Sequence, residues 1–207
     1  MSRLRFAIRP AFAVPPVADR GLLARLFLGH AVVFAAGVAL SWGACGRTPF
    51  RHPSPWLSLQ PLVAASSSAA IGVAFAFALS IAARAMVTRF SRARALHSEL
   101  RPLARALSPA QVVLVSAFAG IAEETFFRGF LVPIVGVGIA SILFGLAHRL
   151  KGSVRWLWVL WSTVGGFAFG IAFALTGSLL GAVLGHALAN AASLLFLREH
   201  DPEASAR

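Results

Sequence analysis

The sequence predicts an all-α protein, a polytopic transmembrane bundle of about six spans with its N-terminus and C-terminus cytoplasmic. Three observations predict it. The 207 residues are 58% hydrophobic with a mean hydropathy of +0.78, outside the balance of a soluble globular domain. The apolar residues come in blocks long enough to cross roughly 30 Å of hydrocarbon, which takes about 20 residues at about 1.5 Å of rise each. The basic residues lie between those blocks and sort by side, as the positive-inside rule requires.

The elements follow in order. Residues 1–25 carry Arg3, Arg5, Arg9, Arg20 and Arg25 and read as a cytoplasmic basic tail. The first apolar block, Leu26 to Cys45, is too long for the core of a secretory signal and is followed by further spans. Trp42-Gly43-Ala44-Cys45 is only distantly like a lipoprotein cleavage site, because Trp42 stands where an aliphatic residue belongs. A Pro-rich loop from Arg47 to Pro55 leads to a second block, Leu62 to Ala83, so residues 26–105 hold two spans and a basic connector with Arg84, Arg89, Arg92, Arg94, Arg101 and Arg105. Residues 109–197 form the C-terminal core. Its blocks begin at Pro109, run from Leu131 to His148, from Trp156 to Leu175, and from Leu179 to Leu197; residues 198–207 are a polar tail.

Of the 19 basic residues, this arrangement places 16 inside and only Arg47 and Arg51 outside, leaving Arg128 within the membrane. Trp42, Trp56, Trp156 and Trp158 fall near span ends, where interfacial anchors belong. A net charge of +12 would also suit nucleic acid, but these charges are topology determinants, so no nucleic-acid partner is expected. The partners expected are the lipid bilayer and a protein or peptide. The lone Cys45 excludes an internal disulfide and a multi-cysteine metal site.

Chemistry concentrates in the third block. Between Glu99 and Glu199 the only acids are Glu123 and Glu124, adjacent and inside an apolar helix. An acid at the centre of a span costs about 2.5 to 3.5 kcal/mol on insertion scales, so two neighbours need a reason. Helical geometry separates them. Glu124 and Arg128 are four residues apart on one face and can form a charge-assisted pair, which by itself reads as structural. Glu123 points about 100° away with Phe127, not a base, one turn on, and is left for a general base or acid. Two more pairs four residues apart lie downstream, Phe144 with His148 and His186 with Asn190. Each His or Asn alone is as readily interhelical glue as catalyst, but together they offer polar groups from three helices to one cavity. His30 matches no motif and reads as core packing or interhelical hydrogen bonding. Ser66, Ser67, Ser68 and Ser116 read as packing residues, with no Gly-x-Ser-x-Gly elbow nearby.

Glu-Glu-x-x-x-Arg, Phe-x-x-x-His and His-x-x-x-Asn on successive membrane helices resemble the CPBP family, also called Abi, of CAAX prenyl endopeptidases and bacteriocin-processing or immunity proteins. The residues that carry the resemblance are Glu123, Glu124, Arg128 and Gly129, then Phe144 and His148, then His186 and Asn190. It implies a glutamate-dependent intramembrane endopeptidase, and the arginine-rich, alanine-rich, lysine-poor composition points to the cytoplasmic membrane of a bacterium. Glu123 would activate water, His148 would hold it and shuttle protons, His186 and Asn190 would donate to the oxyanion, and Glu124 and Arg128 would fix the surrounding helix. No cofactor is expected. The alternatives are zinc on Glu123, His148 and His186, although the His-Glu-x-x-His helix of the familiar zinc proteases is absent, and a non-catalytic immunity or scaffold protein.

One conflict of depth remains in this reading. A helix rising from Pro109 puts Glu123 about 20 Å into the membrane, whereas a complete fourth span returns His148 to the cytoplasmic side. The two meet only if a helix breaks or re-enters, and Pro133, Gly136 and Gly138 supply the break points.

Overall fold

A computed structural model describes residues 20–150 and 152–202. Lys151 and most of the basic N-terminal tail lie outside them, as do residues 203–207. The described residues form seven α-helices and one π-helical stretch. They are α1 (Arg20–Gly43), α2 (Pro61–Arg89), α3 (Ser91–Ala106), α4 (Pro109–Glu124), the π stretch (Thr125–Leu131), α5 (Val132–Ala147), α6 (Arg155–Thr176) and α7 (Leu180–Glu199). Arg20 and Arg25 therefore ride on α1 rather than in a tail ending at residue 25.

Five helical stretches among the described residues are long and apolar enough to cross a membrane, not six. The difference lies in the 39 residues from Pro109 to Ala147, which merge two of the expected spans. Continued straight, a helix would hold Glu123 and His148 about 37 Å apart. Their side chains instead lie 3.3 Å apart. The reversal falls at Gly136, whose φ of 78° and ψ of 166° only glycine adopts readily. The leg from Val137 to Ala147 is thus a short return that stops at the depth of Glu123, which removes the conflict.

The basic connector also differs from expectation. It is helical: α2 extends to Arg89, and α3 turns Ala93, His97 and Ala104 inward while Arg92 and Arg105 face out. This amphipathic pattern was present in the sequence but masked by the density of charge.

The bundle has two distinct ends. At one, the loop between α1 and α2 is tied to the turn between α6 and α7 by His52 N–H to Gly177 O (2.9 Å), Trp56 N–H to Ala174 O (2.8 Å) and Leu179 N–H to Phe50 O (3.3 Å). At the other, α3 crosses beneath α7, with Arg101 on Asp201 (3.1 Å) and His97 Nε2–H donating to His200 O (3.0 Å). Arg198 there donates to the carbonyls of Arg105 and Leu107.

Between the ends, helices approach through small residues. A Cβ on Gly72 would run into Gly181, one on Gly120 into Val183 and Ala187, and one on Gly166 into Ser141. Close approach of this kind replaces the hydrophobic driving force that lipid cannot supply. Ser68 confirms the packing reading, since its Oγ donates to Ser178 O (2.7 Å) and accepts the orphan N–H of Gly181 at the start of α7 (2.9 Å). Outward, Leu28, Leu62, Phe77, Ile81 and Ile139 are all more than half exposed, which suits lipid as the solvent.

Candidate active site

Local sequence places the acids. α4 starts cleanly at Pro109 because Ser108 and Gln111 form a reciprocal capping box, and Glu123 and Glu124 end it. The chain then widens into the π stretch, a form often found at functional sites. Pro133 lacks the N–H that Gly129 O would receive in an α-helix. Arg47 fills that gap, donating to Gly129 O (2.9 Å) and Phe130 O (3.1 Å) from the neighbouring loop.

Glu124 occupies a sealed compartment. It is fully buried, and its Oε1 lies 2.9 Å from Arg128 Nη1 and 2.7 Å from His186 Nδ1. Arg128 is equally buried and donates to Gly166 O at 3.1 Å. Its guanidinium lies 4.3 Å from the centroid of the Phe144 ring. Phe144 thus covers the ion pair, a role its spacing from His148 did not reveal. The expected Glu124–Arg128 pair is present.

Glu123 looks the other way, into a ring of imidazoles. Its Oε2 is 3.3 Å from His148 Nε2 and 3.9 Å from His186 Nε2, and its Oε1 is 3.2 Å from His30 Nε2. The Nδ1 atom of each histidine is committed elsewhere. His148 Nδ1 bonds Phe144 O (2.8 Å), His30 Nδ1 bonds Leu26 O (2.7 Å), and His186 Nδ1 bonds Glu124. Carbonyls and carboxylates only accept, so all three Nδ1 atoms carry hydrogen and all three Nε2 atoms face Glu123.

Two expectations gain detail here. His186 is closer to Glu124 than to Glu123 and bridges the two compartments, where the sequence pointed only to the second. His30 does form an interhelical hydrogen bond, but its partner is Glu123, which no motif signalled. Trp158 lines a cavity beside His148, with ring centroids 6.3 Å apart. That cavity, of about 270 Å³, runs between α2, α3, α6 and α7. His148, His186 and Asn190 stand on its wall together with Arg84 and His97, and its lining is mostly apolar.

No group of three or more His, Cys, Asp or Glu side chains among the described residues is arranged to hold a metal ion.

Fold and site together define an integral membrane protein with paired intramembrane glutamates, one ion-paired and one facing histidines. Residues 105–192 match the family described as type II CAAX prenyl endopeptidase Rce1-like. The matched stretch contains Glu123, Glu124, Arg128, Phe144, His148, His186 and Asn190 but not α1 with His30. No curated protein and no solved structure matched the chain.

Proposed function

We propose that the protein is an intramembrane endopeptidase that hydrolyses a peptide bond of a membrane-associated protein or peptide with water activated by Glu123. The observation that carries this reading is the convergence of three imidazole Nε2 atoms on one carboxylate, two of those rings standing on the wall of an apolar cavity. In the proposed reaction Glu123 takes a proton from water and the hydroxide attacks the scissile carbonyl. The proton then passes to the leaving amine, with His148 Nε2 as relay. Asn190 donates to the oxyanion through its amide. His186 can donate there only as an imidazolium, because its Nδ1–H is committed to Glu124. The apolar lining would hold the membrane-embedded part of the substrate. Arginine-rich, lysine-poor composition supports a bacterial cytoplasmic membrane as its location.

The test compares protein termini in cells carrying the wild-type chain and Glu123→Gln at equal abundance. Losing a general base costs about 10² to 10⁴ in rate, so at least one mature terminus should disappear in the variant. Unchanged termini would refute the peptidase reading and leave the immunity or scaffold alternative. Cleavage in purified membranes that a zinc chelator abolishes, and added zinc restores, would overturn the metal-free mechanism.

A further inference from the structure

α1 lies outside the family match yet reaches the same site, and its role there rests on the peptidase reading. We propose that His30 is a positioning residue of this site, holding Glu123 Oε1 so that Oε2 faces His148, His186 and the cavity.

The carboxylate has two oxygens and the surroundings treat them differently. Oε2 faces the two histidines on the cavity wall, while Oε1 meets only His30 among the imidazoles, at 3.2 Å. Without that bond the carboxylate can rotate about its terminal torsion, which is broad and only loosely restrained in glutamate. His30 is itself fixed at both ends. Its Nδ1 is tied to Leu26 O one turn back, so the ring cannot turn its Nε2 away without giving up that bond.

The helix that carries His30 is fixed as well. Gly37 packs so closely on the π stretch that a Cβ there would sit 2.9 Å from the backbone of Phe126. Phe27 meets Phe118 of α4 edge-on, with ring centroids 5.0 Å apart. These two contacts bracket His30 and set α1 parallel to α4 at the height of Glu123. His30 is only partly exposed, at 17% of its side chain, close to the 15% of Glu123. A surface histidine making an incidental contact would be neither so enclosed nor so braced.

Two measurements on the full-length chain in lipid vesicles test this. In solid-state NMR with isotope-labelled histidine, Glu123→Ala should move the Nε2 resonance of His30 while its Nδ1 stays protonated. An Nε2 resonance indifferent to Glu123 would overturn the proposal whatever the activity. The second measurement tracks cleavage of quenched fluorescent peptides tethered by a farnesylated cysteine or an apolar helix. His30→Leu should lose about 10- to 100-fold in kcat with KM within about twofold, as expected for a misplaced reactive group. His30→Gln, which keeps a donor near the Nε2 position, should recover most of that loss. Equal turnover by His30→Leu and wild type would reject the role, as would equal failure of the Leu and Gln variants at normal abundance. If Glu123→Gln cleaves normally, the peptidase reading falls and takes the role of His30 with it. The NMR contact would still be seen in that case, so the two failures are distinguishable.

Discussion

Glu123 and Glu124 are the same residue one step apart on one helix, and the protein puts them in opposite surroundings. Glu124 is dry, with an arginine, a histidine and an aromatic lid closed over it. Glu123 keeps 15% of its side chain exposed and meets only histidines, groups that can give or take a proton. The contrast arises from the roughly 100° between successive helical side chains, which sends one towards α6 and α7 and the other towards α1 and the end of α5. Composition therefore assigns neither role; the neighbours do. The Arg128 guanidinium and the closed compartment suit Glu124 to bracing the helix, whereas Glu123 is surrounded by imidazoles, which can give or take a proton.

The largest effect expected from breaking this contrast lies on the sealed side. Arg128→Leu leaves Glu124 buried with only His186 as partner, and loss of one member of a buried pair costs about 3–5 kcal/mol. The protein should fall steeply in abundance, read by quantitative immunoblot of membranes and by thermal unfolding in detergent. Glu123→Gln should leave both measurements near wild type. Comparable instability in the two variants would show that the acids are not divided as proposed.

A smaller effect should arise at the hairpin that brings His148 back to Glu123. Gly136→Ala imposes on a Cβ-bearing residue a backbone conformation costing about 1–3 kcal/mol. We expect reduced thermal stability and a wider separation between spin labels in α4 and at the end of α5. Space is not the obstacle, since a Cβ at Gly136 would meet nothing within 4 Å. Gly138, equally unobstructed but with an ordinary helical backbone, is the control and should tolerate alanine.

Much of this contrast was legible in the sequence, for identifiable reasons. The apolar blocks showed the bundle because hydrocarbon thickness fixes span length. The Glu124–Arg128 pair was legible because helical spacing of four residues is a local rule. The partners of Glu123 were not, because they come from helices whose relative depth no local rule sets. The re-entrant leg hid in a continuous apolar run, and only the clash of depths between Glu123 and His148 hinted at Gly136. His30 stayed hidden because one histidine in an apolar helix carries no spacing signal. α3 was passed over since its arginines masked the inward spacing of Ala93, His97 and Ala104.

The smallest expected effect lies outside the membrane-spanning helices, where the clamp between α3 and α7 provides a reference for the site. Burial holds the His97 imidazole below its usual value, a hydrogen bond to the backbone carbonyl of His200 works against that, and nearby His200 and Arg101 lower it further while Asp201 raises it. The folded protein therefore binds this proton less readily than the unfolded chain does. Stability from His97 is present above about pH 6.5 and is lost as pH falls from there towards the depressed folded value. Hydrogen exchange of α3 and the end of α7 should accelerate across that window, and His97→Asn should flatten the response. The α4 backbone around Glu123 should not respond, because His97 lines the same cavity as His148 and His186 but is hydrogen-bonded to the His200 carbonyl. Matched acceleration at both places would mean that the cavity couples His97 to the histidines around Glu123.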